Sequence, residues 1–183
     1  MALLALKRGL QTCQLRIRAV PASAPTATVN SRIGTSTMST ADVASNAEPS
    51  VVQILTPSGA GTGFKMAPGV IANEHVVSGL SRVELITSDQ RRFGATVSST
   101  DKLRDLALLA PDEPLPDLQT EPAEQQRQGD ELLVLGYPKP TVLGVGGTPS
   151  LTRGILSALR QENGVWLVQT DAPVILATPE VQS

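Results

Sequence analysis

The chain has 183 residues, enough for one domain or for two small lobes with a tail. Apolar residues make up 40% of it and aromatic residues only 2%, so a core must be built from Val, Ile, Leu and Ala. The net charge of -2 gives no general reason to expect nucleic acid or an anionic membrane as partner. The single cysteine, Cys13, excludes an intrachain disulfide framework, and no apolar stretch is long enough to predict a membrane span.

Residues 1–47 predict a disordered leader. The first 41 residues contain five basic residues and no acidic one and are rich in Ser, Thr and Ala, which is typical of an organellar transit peptide. A low-complexity leader without a targeting role fits equally well, and a start of translation at Met38 is a third reading. A secretory signal fits less well, because the apolar run 2–6 is short and precedes the basic pair Lys7–Arg8. The compartment stays open between an organelle and the bacterial cytoplasm or envelope.

From Glu48 onward the chain consists of short runs rich in Val, Ile, Leu and Thr, separated by Gly, Pro, Asn and Asp. Many short strands separated by turn residues predict an all-β fold, either a barrel or a sandwich. Residues 113–128 are rich in Pro and acidic residues and predict a connector between two β lobes. The first lobe is expected at 48–112 and the second at 129–174.

Two glycine clusters, "GAGTGF" and "GVGG", do not predict a nucleotide site. Neither has the full G-x-G-x-x-G spacing, and a strand-like run rather than a helix follows the first. Tight turns and close approach of backbones explain these glycines better. We therefore expect no cofactor, and the single cysteine cannot by itself make a metal site.

One histidine and one aspartate have a setting that suits chemistry. His75, the only histidine, stands where an apolar run ends, so its ring is expected at the end of a strand beside a core. A lone histidine is usually structural, but a neutral imidazole in this setting needs a partner that fixes its tautomer. Asp105 opens the apolar strand 106–109, where it is either a solvated residue or a carboxylate able to hold the histidine Nδ1–H. The pair would make two thirds of a nucleophilic triad.

These segments together resemble the trypsin-like serine proteases of the HtrA/Do type. "EPSVVQI" resembles their first strand, and "GAGTGFKMAPGVIANEHVVSG" resembles the glycine turn and the segment with the catalytic histidine. "DKLRDLALL" resembles their aspartate strand and "GDELLVLGYP" the opening of their second barrel. "LTRGILSAL" and "WLVQTDAPV" resemble the two segments that lead to the nucleophile. The resemblance covers residues 48–174 in the order of the family.

The resemblance implies a trypsin-like double β-barrel with the active site between the barrels, the second barrel here being incomplete. It implies His75 as general base, Asp105 as the carboxylate that orients it, and unfolded or extended polypeptides as substrates in protein quality control. It implies no cofactor and no metal, and the family includes homotrimers. Cleavage preference, a following PDZ domain and the oligomeric state are left open.

The chain departs from the family after Val174. The family continues with Asn-Pro-Gly-Asn-Ser-Gly-Gly-Pro, which holds the nucleophile and the amides of the oxyanion hole. Residues 175–183 read "ILATPEVQS" instead, and neither Ser150 nor Ser157 lies in a glycine-flanked loop. On this reading the catalytic serine is absent.

A change of reading frame would explain the departure. The codons ATC CTG GCA ACT CCG GAG GTC CAG encode "ILATPEVQ", and one A placed in front regroups them to AAT CCT GGC AAC TCC GGA GGT CCA. The regrouped codons encode the whole family motif. We therefore hypothesise that a single nucleotide was lost near the junction of Val174 and Ile175, and that residues 175–183 are an out-of-frame tail.

The sequence thus predicts a serine endopeptidase by descent that is inactive as this polypeptide. An alternative of another class is a non-catalytic module that binds unfolded or extended peptides along a sheet edge, since such binding needs backbone groups and pockets but no serine. A third reading is a product of gene decay or of a sequence error with no role of its own.

Overall fold

The computed structural model describes residues 5–7, 10–14, 16–17, 39–118, 127–137, 145–162 and 165–173. Its elements in chain order are β1 (Ala5–Lys7), β2 (Leu10–Gln14), β3 (Arg16–Ile17), α1 (Thr40–Ala47), a 3-10 turn (Glu48–Ser50), β4 (Val51–Thr56), β5 (Gly59–Met66), β6 (Gly69–Ala72), α2 (Glu74–Val77), β7 (Arg82–Ile86), β8 (Arg92–Asp101), β9 (Leu106–Pro111), β10 (Glu131–Gly136), β11 (Ser150–Glu162) and β12 (Val165–Thr170). The all-β fold class is confirmed.

Strands β4 to β9 form a closed barrel in the order β4-β5-β6-β9-β8-β7. Every neighbouring pair in it is antiparallel. Because successive side chains of a strand point to opposite faces, each strand contributes alternate residues to the interior. The interior is almost entirely aliphatic, as the low aromatic content requires, and its buried members are Val52, Ile54, Val70, Ala72, Val77, Val83, Leu85, Phe93, Ala95, Ala107, Leu109 and Leu115.

The second lobe is a partial sheet in the order β12-β11-β10-β3. The long strand β11 pairs with β10 through its first half, 150–155, and with β12 through its second half, from Leu156 to Glu162. Within the described ranges no strand pairs β12 back to the far edge of this sheet, so it stays open. The structure therefore has one closed barrel and one incomplete second lobe.

A second apolar cluster joins the barrel to the sheet. Its buried members come from α1, the outer side of the barrel, the start of the connector and β10, and they are Val43, Ala47, Val51, Phe64, Leu118, Leu133, Leu135 and Tyr137. Burial, with smaller effects from Glu48 and Asp89, raises the pKa of the Tyr137 phenol well above its ordinary value. The lobes are thus held together by packing of aliphatic side chains and of two aromatic ones, Phe64 and Tyr137.

Hydrogen bonds between distant segments reinforce this junction. Thr62 Oγ1 in β5 accepts the backbone N–H of Tyr137 at 2.8 Å. The buried Gln53 side chain of β4 accepts the backbone N–H of Gly146 at 2.7 Å. The backbone N–H of Leu118 donates to the carbonyl of Lys65 at 2.8 Å. Because these polar groups lie at a buried junction, each bond avoids the cost of an unpaired donor or acceptor.

Helix α1 corrects the predicted leader at its C-terminal end. Ser39 and Asp42 form a capping box, in which the Ser39 hydroxyl accepts the Asp42 N–H and the Asp42 carboxylate accepts the Ser39 N–H. Val43 and Ala47 are buried against the second lobe. Residues 40–47 are therefore a packed helix instead of part of a disordered leader. Three further segments of the predicted leader are strands, β1 to β3, and β3 pairs with β10, whereas residues 18–38 lie outside the described residues.

The inter-barrel connector predicted at 113–128 is described at its two ends only. Leu115 packs into the barrel core and Leu118 into the second cluster, so the first residues of this segment are anchored to both cores. Residues 119–126 lie outside the described residues. Among the described residues no helix is long and apolar enough to cross a membrane.

Truncation of an interior residue should test the barrel core. Leu109 of β9 is fully buried, and we expect Leu109→Ala to lower the free energy of unfolding in urea by about 2–4 kcal/mol, because it leaves a cavity. Leu103→Ala is the matched control, since Leu103 is 74% exposed and its loss should change stability by less than about 0.5 kcal/mol. Equal effects of the two substitutions would contradict this assignment of the core.

Candidate active site

Pairing of β6 with β9 creates the candidate site. Ala72, the last residue of β6, lies opposite Ala107 of β9 in an antiparallel register. The chain that leaves β6 therefore runs beside the chain that enters β9. The first of these segments carries His75 and the second carries Asp105, so residues 30 positions apart become neighbours.

The structure brings the two predicted residues into direct contact. His75 Nδ1 lies 2.7 Å from Asp105 Oδ2, and the other carboxylate oxygen, Oδ1, accepts the backbone N–H of His75 at 2.9 Å. The side chains are partly shielded, being 41% exposed for His75 and 30% for Asp105. The neutral imidazole can therefore donate Nδ1–H to the carboxylate and keep a lone pair on Nε2.

The sequence predicts His75 at the end of a strand, whereas the structure places it in a short helix after that strand. His75 is the second residue of α2, a single turn from Glu74 to Val77 that follows β6. Asp105 caps this turn from outside, because its backbone carbonyl accepts the Glu74 N–H at 3.2 Å and its carboxylate accepts the His75 N–H. The strand signal ended at Ala72, and a helix of four residues is too short to show a helical period in the sequence.

Asp105 has a backbone conformation that few residues adopt. Its φ angle of +54° lies in the left-handed region, where aspartate and asparagine are enriched among residues other than glycine. The turn before it is held by Asp101, whose carboxylate accepts the Arg104 N–H at 3.0 Å and pairs with the Arg104 guanidinium at 2.6 Å. These contacts with Arg104 lower the pKa of Asp101. The local chain therefore turns Asp105 towards α2.

Sequence reasoning missed one residue of the site, Asn73. Its Nδ2 donates to Asp105 Oδ2 at 3.0 Å, and the side chain is fully buried. Asn73 also occupies the N-cap position of α2, yet its side chain makes no capping bond. Its place two residues before His75 is the only sequence signal, because the contact with Asp105 depends on the β6–β9 register.

The second lobe is described up to the approach to the predicted serine loop. Asp171 Oδ1 accepts the backbone N–H of Ile155 at 2.7 Å, which fixes the chain after β12 against β11. Ser150 and Ser157 both lie in β11. Residues 174–183, including the predicted out-of-frame tail, lie outside the described residues. In the described ranges no group of three or more His, Cys, Asp or Glu side chains could hold a metal ion.

Substitution of Asp105 should destabilise the chain measurably. We expect Asp105→Ala to lower the free energy of unfolding by about 2 kcal/mol, since it removes the carboxylate that accepts the His75 N–H and forces alanine into a left-handed conformation. Urea unfolding followed by circular dichroism measures this. Asp112→Ala is the control, because the carboxylate of Asp112 pairs with Arg82 on an exposed surface and is worth less than about 1 kcal/mol. A loss no larger for Asp105→Ala than for the control would argue against the capping role.

Comparison with known proteins points to one family. A probable periplasmic serine endoprotease, DegP-like, of Rickettsia prowazekii is 31% identical over 125 residues, covering 62% of this chain and 23% of its own length. A serine protease of Mycobacterium tuberculosis is 43% identical over 99 residues, covering 50% of this chain and 24% of its own length. The solved structure of the HtrA-type protease AlgW with a tripeptide superposes with a TM-score of 0.65 at 30% identity, covering 75% of this chain and 47% of that one.

The chain spans about a quarter of the length of the curated relatives it matches. Residues 61–178 match the family described as the trypsin-like peptidase domain, and this range includes most of β5, all of β6 to β12 and both residues of the His–Asp contact. Family, relatives and fold agree. The chain therefore belongs to the trypsin-like peptidase domains of the HtrA/DegP type.

Proposed function

We propose that His75 and Asp105 are the general base and the orienting carboxylate of a serine endopeptidase site. The contact of 2.7 Å between His75 Nδ1 and Asp105 Oδ2 carries this proposal. With Nδ1–H donated to the carboxylate, Nε2 is free to take the proton of a serine hydroxyl as that oxygen attacks a peptide carbonyl. The negative carboxylate stabilises the imidazolium formed in this step.

We propose extended polypeptides as substrates of the site. The names of the relatives support this, since they are endoproteases or serine proteases, and one solved relative was obtained with a tripeptide. Attack of serine on the carbonyl gives a tetrahedral oxyanion, and collapse of this oxyanion expels the amine as His75 returns the proton. The acyl-enzyme is then hydrolysed by water, with His75 again acting as base.

The chain itself is proposed to lack this activity because the serine loop is read out of frame. One set of synonymous codons for residues 175–182 encodes the family motif Asn-Pro-Gly-Asn-Ser-Gly-Gly-Pro when one nucleotide is added after the codon of Val174. The serine codon then falls across Thr178 and Pro179. In enzymes of this type, loss of the nucleophile lowers turnover on the order of a million-fold.

Sequencing and labelling test the proposal together. The gene should read AAT CCT GGC AAC TCC GGA GGT CCA from one added nucleotide, and DNA that cannot be regrouped in this way would rule out the frameshift. A fluorophosphonate probe should label protein expressed from the frame-restored gene and leave the present chain unlabelled, because only the former has an activated serine.

The control for labelling is His75→Ala in the frame-restored protein. This substitution removes the base, and we expect the rate of labelling to fall by at least about a thousand-fold. Ser157→Ala serves as the matched serine control, because Ser157 lies within strand β11 and should not affect labelling. Labelling that persists without His75 would overturn its assignment as base.

A second candidate function, peptide binding without catalysis, is favoured by an edge of β11. Among the described residues, β12 pairs with β11 only from Leu156 onward, so no strand lies on the outer side of the segment 150–155, where the Asp171 carboxylate accepts the N–H of Ile155. Leu151 and Ile155 in this segment are 39% and 44% exposed. An extended peptide could add to such an edge with its backbone and cover these side chains.

Binding of a denatured protein separates the two functions. Reduced, carboxymethylated lactalbumin, which stays unfolded, should bind the present chain in a titration by anisotropy if the edge of β11 is a binding site. Ile155→Lys should then weaken binding at least about tenfold, since a charge replaces exposed apolar surface at the edge. Leu103→Lys, at an exposed position in the turn before β9, is the matched control. Absence of binding, or equal weakening by both substitutions, would rule out the edge of β11 as a peptide-binding site.

A further inference from the structure

We propose that Asn73 is a positioning residue of this site, which holds the carboxylate of Asp105 so that Oδ2 faces the Nδ1–H of His75. The inference rests on the proposed function of the His75–Asp105 pair. It adds a third side chain, whose amide would act on the base only through the carboxylate.

The contacts of Asn73 converge on Asp105. Its Nδ2 lies 3.0 Å from Asp105 Oδ2, the same oxygen that faces His75 Nδ1, and 3.4 Å from the backbone carbonyl of Asp105. Asp105 Oδ2 therefore receives one donor from the amide and one from the imidazole. Because two donors reach this oxygen from different residues, rotation of the carboxylate away from His75 would break both bonds.

The burial of Asn73 supports a dedicated role. The side chain is fully buried, and among the described residues its Oδ1 has no hydrogen-bond partner. Exchanging the positions of Oδ1 and Nδ2 would not give Oδ1 a hydrogen-bond donor. It would place Oδ1 against the Asp105 carboxylate, and the oxygens would repel each other. A buried acceptor without a partner lowers the stability of the fold. The bond from Asn73 Nδ2 to Asp105 offsets this loss.

The missing helix cap points in the same direction. Asparagine at an N-cap position ordinarily accepts a backbone N–H of the first turn through Oδ1. Here Asn73 makes no such bond, and Asp105 accepts the N–H groups of Glu74 and His75 instead. Asp105 thus caps α2 in place of Asn73, and the Asn73 amide holds the Asp105 carboxylate.

The single histidine of the chain permits a direct test. In a long-range ¹H–¹⁵N spectrum of the uniformly labelled full chain, only His75 contributes imidazole signals, and their shifts on the alkaline plateau of the titration report the ratio of the Nδ1–H to the Nε2–H tautomer. We expect the Nδ1–H form to dominate in the unsubstituted chain. Asn73→Leu, which has the same shape without donor or acceptor, should lower this ratio roughly fivefold.

Two further variants separate positioning from folding. Asn73→Ala repeats the loss of the donor in a smaller side chain, so a structural defect peculiar to leucine would not affect it. Asn46→Leu, at an exposed position of α1, is the matched control and should leave the ratio unchanged. Urea unfolding of each variant confirms that the spectra come from folded protein. A mere loss of stability would not move the tautomer ratio of the folded fraction.

Asp105→Asn distinguishes failure of this inference from failure of the proposed function. If the ratio falls in Asp105→Asn and in both Asn73 variants, the positioning role is supported. If it falls in Asp105→Asn but stays unchanged in both Asn73 variants, the positioning role is overturned and the His75–Asp105 pair stands. If Asp105→Asn itself leaves the ratio unchanged, the pair does not act as proposed, and the role of Asn73 falls with it.

Discussion

Antiparallel pairing of β6 with β9 is the contact on which the site depends. In the register that sets Ala72 opposite Ala107, the three residues after β6 and the one residue before β9 must meet at one end of the barrel. Gly69 permits this register, because a Cβ there would lie 2.4 Å from the carbonyl oxygen of Leu109. A shift by one residue would turn every side chain of β6 to the opposite face and would separate His75 from Asp105.

Closure of the barrel makes this register stable with Phe93 as the one aromatic residue among the described members of the interior. Both edges of the β6–β9 pair are bonded to further strands, since β6 also pairs with β5 and β9 with β8. The interior aliphatic residues fill the small barrel, and Val77 of α2 is buried among them. The turn that carries His75 is therefore anchored by its own apolar residue on one side and by Asp105 on the other. The relative positions of His75 and Asp105 therefore depend on the packing of the whole barrel.

Sequence patterns were sufficient for the strands and insufficient for the short helices. Alternation of Val, Ile and Leu between turn residues is a local signal, and each run predicted after Glu48 contains a strand. Helix α1 buries only Val43 and Ala47, too few apolar residues for a helical period to stand out. The setting of His75 and Asp105 made them candidates, but the role of Asn73 could not be predicted, because an asparagine before a helix ordinarily caps it.

In the proposed mechanism catalysis needs groups from both lobes, whereas the His75–Asp105 contact needs groups from only one lobe. Within the described residues, the side-chain bonds of Asp105 come from Asn73 and His75, all on the barrel. The serine loop of the family would follow Asp171, which is tied to β11 in the other lobe. A frame change after Val174 would therefore remove the nucleophile and leave the base and its carboxylate in place. The orientation of His75 then results from folding of the barrel alone. It is not evidence that the chain cleaves peptides.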